Sequence, residues 1–252
     1  MPNMLKKKRM KELNEEIRKC ERCKLYATRK NAVVGEGNLD AKLMLIAQAP
    51  GEKEDETGKM FVGPSGKILD ELLEIAGLKR EEVYMTNLIK CFLPNCRKRR
   101  EGEISACSYF LDKEIEIVNP EILVPLGYFA TRYIFQKYNI DTSLIYGKLI
   151  WTGEIKIYPL EHPSTLLYDE SKRKILEEHY RKFGIFKNNC KWMCCCPMVR
   201  YYKEGKLDIR WIELYCKGDW ESCIRYQMEE RGEYHEDCML PDGRIVRELC
   251  ED

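Results

Sequence analysis

Short apolar runs of strand length alternate with segments of helical periodicity over residues 42–183, and this alternation narrows the fold more than any other feature. Lys42–Ala47 (KLMLIA) is the clearest run, and Ala49-Pro50-Gly51 breaks it. Ile68, Leu69, Leu72, Leu73 and Ile75 then follow helical spacing, with Gly77 placed as a C-cap. Val83–Asn87 reads as a strand, Ser105–Val118 as a helix, Ile122–Leu126 as a strand and Tyr128–Tyr138 as a helix. Ile155–Leu160 reads as a further strand and Glu170–Phe183 as a helix, while an N-terminal helix runs to about Arg18. Strand–helix alternation of this kind predicts a three-layer α/β/α sandwich around a mostly parallel sheet. In such sheets ligands bind outside the carboxyl ends of the strands. Three polar segments follow three of the strands, Gln48–Gly66, Asn87–Arg100 and His162–Leu167, and the topology predicts that they converge.

The rest of the chain is of another kind. Eight of the 13 Cys lie after residue 189, and Cys190–Asp252 carries 10 Lys+Arg against 14 Asp+Glu. The remaining residues carry 33 against 28. Two units are expected, 1–188 and a Cys-rich appendage, 189–252. Mean hydropathy is −0.51, and no apolar run approaches the ~18 residues of a membrane span. The charged start MPNMLKKKRMKELNEEIRKC lacks the apolar stretch of a signal peptide, so a cytoplasmic location is expected. In an intracellular chain, Cys in this number suit metal better than disulfides, with hyperthermophiles as the exception.

Gln48–Gly66 holds four glycines and two prolines, a shaped loop that lets backbone approach a ligand closely. Taken singly, its neighbours read blandly. Phe61 inside a polar loop is a local core anchor, Asn87 at a strand end caps a turn, and His162 before Pro163 is structural.

Taken together, AQAPGEKEDETGKMFVGPSGKILDELL (47–73), VYMTNLIKC (83–91), ILVPLG (122–127) and HPSTLL (162–167) resemble family 4 of the uracil-DNA glycosylases, the iron–sulfur type of archaea and thermophilic bacteria. The likeness spans roughly residues 15–185. It implies a glycosylase that flips uracil out of DNA and hydrolyses its N-glycosidic bond, leaving an abasic site for base-excision repair and releasing free uracil. By the same resemblance Phe61 stacks on the flipped base, Asn87 reads its O4 and N3–H edge, and Glu54 lies near C5 where it excludes a thymine methyl. His162 donates to O2 of the departing base, helped by backbone N–H groups of the loop through Gln48, Ala49 and Gly51.

These residue types suit the chemistry. Bond cleavage builds charge at O2 of the leaving uracil, and an amide carries the donors and acceptor that match uracil but not cytosine. The base must first leave the stack, at a cost of a few kcal/mol. One departure is Gln48, where the family often has an acidic residue; a neutral amide orients water but is a poor base. A second is Leu93-Pro94-Asn95-Cys96-Arg97, where the family tends to a Pro-rich turn. Arg97, Lys98, Arg99 and Arg100 suit phosphate contact, which is indifferent to sequence. Leu166 and Leu167 are candidates for a wedge into the vacated stack, with burial under the next helix as the alternative.

Cys20-x2-Cys23 alone also suits zinc or redox chemistry. With Cys91 and Cys107 it resembles the family's four ligands for a [4Fe–4S] cluster, structural in role, with zinc as the rival. In the appendage a second metal site is expected, iron–sulfur ahead of zinc, on Cys216 and Cys223 with partners among Cys190 and Cys194–Cys196; Cys190 and Cys196 complete the set. Small units gain from such staples. Cys238 and Cys250 read as incidental, and His179 and His235 show no partners. A second reading is an iron–sulfur uracil- or DNA-binding protein with little turnover; a third is a redox or scaffold protein centred on the tail. The expected partner is uracil-containing DNA, single- or double-stranded, bound by a monomer.

Overall fold

The computed structural model describes residues 3–94, 101–141 and 143–250. Cys96 and the run Arg97, Lys98, Arg99 and Arg100 lie outside the described residues. The elements in chain order are α1 (Asn3–Arg18), β1 (Glu36–Gly37), β2 (Leu43–Ala47), α2 (Glu52–Thr57), α3 (Pro64–Ile75), β3 (Val83–Asn87), α4 (Glu101–Val118), β4 (Ile122–Pro125) and α5 (Gly127–Lys137). They continue with β5 (Ile150–Trp151), β6 (Lys156–Ile157), α6 (Thr165–Tyr168), α7 (Arg173–Ile185), α8 (Pro197–Lys203) and α9 (Ile224–Arg231).

The strands form one sheet in the order β1-β3-β2-β4-β6-β5. β3, β2, β4 and β6 run parallel, and the two-residue edge strands β1 and β5 pair antiparallel. β2, β3 and β4 are buried throughout, which is why they read as unbroken apolar runs rather than alternating ones. The period of two survives in which core each residue joins. Leu43, Leu45, Met85 and Val124 face a cluster with Leu69 and Leu72 of α3 and Leu176 and Phe183 of α7. Met44, Ile46, Tyr84 and Leu123 face another with Met10 and Ile17 of α1, Phe110 and Leu111 of α4, and Ile134 of α5. Two cores on opposite faces of one sheet make the expected three-layer sandwich.

Local chemistry sets the ends. Gly77 takes a positive φ of 65° after α3. Its N–H donates to Glu74 O and that of Leu78 to Leu73 O, at 2.9 Å each, the paired bonds of a Schellman C-cap. Two expectations need correction. Only Lys156–Ile157 of the run Ile155–Leu160 is laddered, because Pro159 has no N–H; Tyr158 and Leu160 still donate to Leu123 O and Pro125 O. The helix expected from Glu170 begins at Arg173, after a 3-10 turn at Glu170–Lys172 whose Ser171 N–H is capped by Asp169.

Beyond α7 a third core gathers Met198, Tyr201, Trp211, Ile212, Cys216, Cys238, Leu240 and Leu249. This unit docks beside the β5–β6 edge, where the buried Lys156 Nζ meets Glu213 Oε2 at 3.0 Å and donates to Lys217 O. Cys238 and Cys250 form a disulfide, so they are a staple of this unit rather than incidental.

Candidate active site

The carboxyl ends of β2, β3, β4 and β6 open on a cleft of about 610 Å³ lined by Gln48, Ala49, Pro50, Gly51, Phe92, Leu93, Tyr128, Glu161, His162 and Ser164, among others. The three polar segments therefore converge as the topology predicts. Gln48 enters the cleft because its carbonyl accepts from Ile89 N–H at 2.9 Å, which fixes the strand ends side by side.

His162 is the best-defined side chain there. Ser164 presents its backbone N–H to His162 Nδ1 at 3.1 Å and its hydroxyl at 2.8 Å. A backbone N–H can only donate, so Nδ1 is the acceptor and the proton of the neutral ring sits on Nε2. Burial pushes the imidazole pKa down to about 4, and protonating Nδ1 would also set two donors against each other. At neutral pH the cleft thus holds a neutral imidazole with one N–H free to donate. Gly127 packs against this residue: a Cβ there would lie 3.2 Å from His162 Cβ, and its φ is 78°.

Phe61 lies beside it, ring centroid 6.1 Å from that of His162. It has a φ of 50°, unusual outside glycine. Two neighbours enforce this. A Cβ on Gly66 would fall 1.9 Å from Phe61 O, so only glycine allows α3 to start under the loop. Arg80 ties the loop down, donating to Phe61 O at 2.8 Å, Met60 O at 3.2 Å and Gly66 O at 3.3 Å. Phe61 is at once core anchor, 6% exposed, and neighbour of the cleft histidine.

Asn87 closes β3 and is buried behind the cleft wall, its Nδ2 donating to Met60 Sδ at 3.1 Å. A thioether is a weak acceptor, so this amide is held without a strong competitor for a ligand. The backbone carbonyl of Asn87 accepts from Lys90 Nζ at 2.8 Å, and Lys90 also donates to Thr86 Oγ1 at 2.6 Å and Glu114 Oε2 at 2.5 Å. Glu54 is buried and accepts from Gly63 N–H at 2.7 Å. Its carboxylate leaves no room for a side chain at Gly51, where a Cβ would meet Oε2 at 2.5 Å. Glu54 therefore clamps the start of α2 to the start of α3. Gln48, Ala49, Gly51 and His162 line the cleft; Phe61, Asn87 and Glu54 stand behind its walls.

Sequence reasoning missed Glu161, Tyr128, Tyr146 and Lys172 on the cleft and Arg80 beneath it. Glu161 adjoins the histidine in EHPS, a signal in plain view; Arg80 offers none, because it is far from Phe61 along the chain. Leu166 is buried in the core, which removes it as a wedge. Leu167 is 46% and Tyr168 89% exposed, and they form the protruding end of the turn.

Cys20, Cys23, Cys91 and Cys107 line one small cavity together with Ile17, Arg29, Ile89 and Phe110. Backbone and side-chain donors already point at the sulfurs: Arg29 to Cys91 at 3.3 Å, Lys90 N–H to Cys107 at 3.2 Å and Arg22 N–H to Cys20 at 3.5 Å. Among the described residues no three His, Cys, Asp or Glu side chains converge on a single metal ion. Four thiols around a shared apolar cavity, with N–H donors at the sulfurs, are a donor set that fits an iron–sulfur cluster.

Comparison with known proteins places this geometry. The model of the uracil DNA glycosylase superfamily matches residues 34–183, the span of the sheet and its covering helices from β1 nearly to the end of α7. The type-4 uracil-DNA glycosylase of Saccharolobus solfataricus is 48% identical over 177 residues, covering 67% of this chain and 82% of that protein. That of Thermotoga maritima is 41% identical over 180 residues, covering 70% and 94%. The type-5 enzyme of Pyrobaculum aerophilum is 30% identical over 146 residues, covering 52% and 64%. On these matches and this sandwich, the chain belongs to the uracil DNA glycosylase superfamily, with the type-4 enzymes.

Proposed function

We propose that this chain is a monofunctional uracil-DNA glycosylase, and the observation that carries the reading is the fixed tautomer of His162 at the mouth of the cleft. Extruded uracil enters past Gln48–Gly51 and lies against Phe61. Asn87 exchanges its bond to Met60 for the O4 and N3–H edge of the base. Glu54, clamped to Gly63, keeps the wall near C5 too close for a methyl group. As the N1–C1′ bond breaks, its electron pair goes to the base, and charge gathers at O2 where His162 Nε2–H donates. Donors of this kind are worth about 2.7–4 kcal/mol in comparable oxyanion sites. Backbone N–H groups along Gln48–Gly51 add to that field. Water then bonds to C1′, and the proton it loses passes to the uracil anion, leaving an abasic sugar and free uracil.

The side chain of Gln48 orients that water or the sugar, so the reaction is mainly dissociative. The neutral amide also supports the second reading, uracil or DNA binding with little turnover. Cys20, Cys23, Cys91 and Cys107 hold a [4Fe–4S] cluster that ties the end of α1 to the loop before α4 and to α4 itself, and takes no part at the base. Arg97–Arg100 and the exposed Leu167 meet DNA. The protein acts as a monomer within the cytoplasm; among the described residues no helix is long and apolar enough to cross a membrane.

Release of free uracil from uracil-containing DNA, with thymine-containing DNA as control, tests the assignment. Uracil released in step with abasic sites supports it. Tight binding of the same DNA without release favours the second reading.

A further inference from the structure

The unit after α7 lies beyond the matched superfamily span, and it contains a second cysteine-lined cavity. Cys190, Cys196, Cys216 and Cys223 stand around a space of about 70 Å³, walled by Trp192, Met198, Tyr215, Trp220 and Tyr226. They are drawn from across the unit. Cys190 precedes a turn and its N–H donates to Cys216 O at 2.8 Å; Cys196 and Cys223 stand immediately before α8 and α9. Backbone N–H groups point at the sulfurs, that of Trp192 at Cys190 and those of Arg225 and Tyr226 at Cys223.

A separate observation indicates what fills the space. Arg225, 3% exposed, sits on the cavity wall with Nη1 donating to Glu236 O, Asp237 O and Met239 O at 2.8, 3.0 and 2.8 Å. Its Nε is buried without a hydrogen-bond partner. An orphaned cationic N–H is costly unless an acceptor lies beside it, and cysteine sulfurs line the same cavity. Where this fold brings two cysteines of the unit together, at 238 and 250, they are bonded, whereas these four are free thiols.

We infer that Cys190, Cys196, Cys216 and Cys223 ligate a second [4Fe–4S] cluster, with Arg225 Nε–H donating to a cluster or ligand sulfur. A single zinc ion, at Zn–S of about 2.3 Å, would draw its sulfurs into mutual contact, whereas a cluster lets four thiolates stand apart around a shared space. The anionic cluster supplies the acceptor that Arg225 lacks, and the arrangement repeats that of the first site, where Arg29 donates to Cys91. Cys194 is absent from the cavity lining; Cys195 lies on it but is exposed, with its thiol donating to Trp192 O, and both are spare. His235 lines the cavity too, but its Nε2 is engaged with Glu229 at 3.0 Å. The cluster would serve a small core as a staple.

Iron, acid-labile sulfide and zinc per chain, measured on anaerobically purified full-length protein, provide the test. Wild type is expected to hold about eight iron and eight sulfide, four of each per cluster. Cys216→Ser/Cys223→Ser and Cys20→Ser/Cys91→Ser should each retain about four, and Cys195→Ser all of them. Uracil release by the Cys216→Ser/Cys223→Ser protein reports that the sandwich remains folded. Unchanged iron in that variant, zinc lost with it in place of iron, or no iron left in Cys20→Ser/Cys91→Ser would overturn the inference. Wild type with about four iron, all lost in the tail variant, would count against the first cluster and leave this one standing.

Discussion

The backbone N–H of Ser164 donates to Nδ1 of His162 at 3.1 Å, and that one bond fixes which ring nitrogen can face a departing base. Burial holds the imidazole pKa at about 4, so the ring is neutral across the physiological range. A flat single-turnover rate from about pH 5.5 to 8 is expected, with no inflection at the ordinary histidine value of about 6.5. His162→Ala should slow excision by about 10²–10³-fold. The same depressed pKa means the native state binds fewer protons than the unfolded chain between these values, so His162 makes stability fall as pH drops from 6.5 towards 4. An inflection near 6.5 that vanishes in His162→Ala would show a titrating ring instead.

Lys90 and Glu114 form an ion pair at 2.5 Å with side chains 2% and 0% exposed. Removing either partner strands a buried charge, so Glu114→Ala or Lys90→Met should each cost about 3–5 kcal/mol in denaturant unfolding. The double replacement Lys90→Met/Glu114→Leu should recover most of that loss, since the two sites share one interaction. Additive losses in the double variant would mean the pair is not coupled.

Gly66→Ala tests how Phe61 is held. A Cβ 1.9 Å from Phe61 O forces the loop away from α3, at about 1–3 kcal/mol of stability. Inhibition by free uracil should weaken in this variant even below its melting temperature. Arg80→Ala, which frees the same carbonyl without adding bulk, should weaken it in the same direction. Unchanged uracil inhibition in both would remove Phe61 from the base site.

Gln48 and Glu161 line the same cleft, one neutral and one carboxylic. If Gln48 only orients water, Gln48→Glu should raise the single-turnover rate by up to about 10²-fold, within the range of a general base. Glu161→Gln should lower it if that carboxylate assists the water from the other wall. A slower Gln48→Glu protein would mean that the amide makes a contact a carboxylate cannot.

The central sheet was legible because β2, β3 and β4 are buried on both faces, so their apolar runs stand out even without alternation. The edge strands β1 and β5 were not, since two residues carry no period. α2 has no apolar face; Gly51 and Gly58 bound it and acidic residues fill its first turn, signals of caps rather than of hydrophobic pattern. Among the candidate site residues, His162, Asn87 and Phe61 are named from their motifs, yet nothing local marks Arg80 as the residue that holds Phe61 or Met60 as the acceptor facing Asn87. Those are contacts between segments, and they exist only once β2 and β3 lie side by side. The Cys238–Cys250 bond was hidden for the same reason, because pairing depends on the turn between them.

Alkali-induced strand scission of a labelled oligonucleotide carrying one uracil, under single-turnover conditions, tests the central claim most directly. Wild-type protein is expected to cut at the uracil, with the rate sharply reduced in both Asn87→Ala and His162→Ala. Failure of the folded, iron-loaded wild type to generate alkali-labile sites, or variants as fast as wild type, would contradict the assigned pocket.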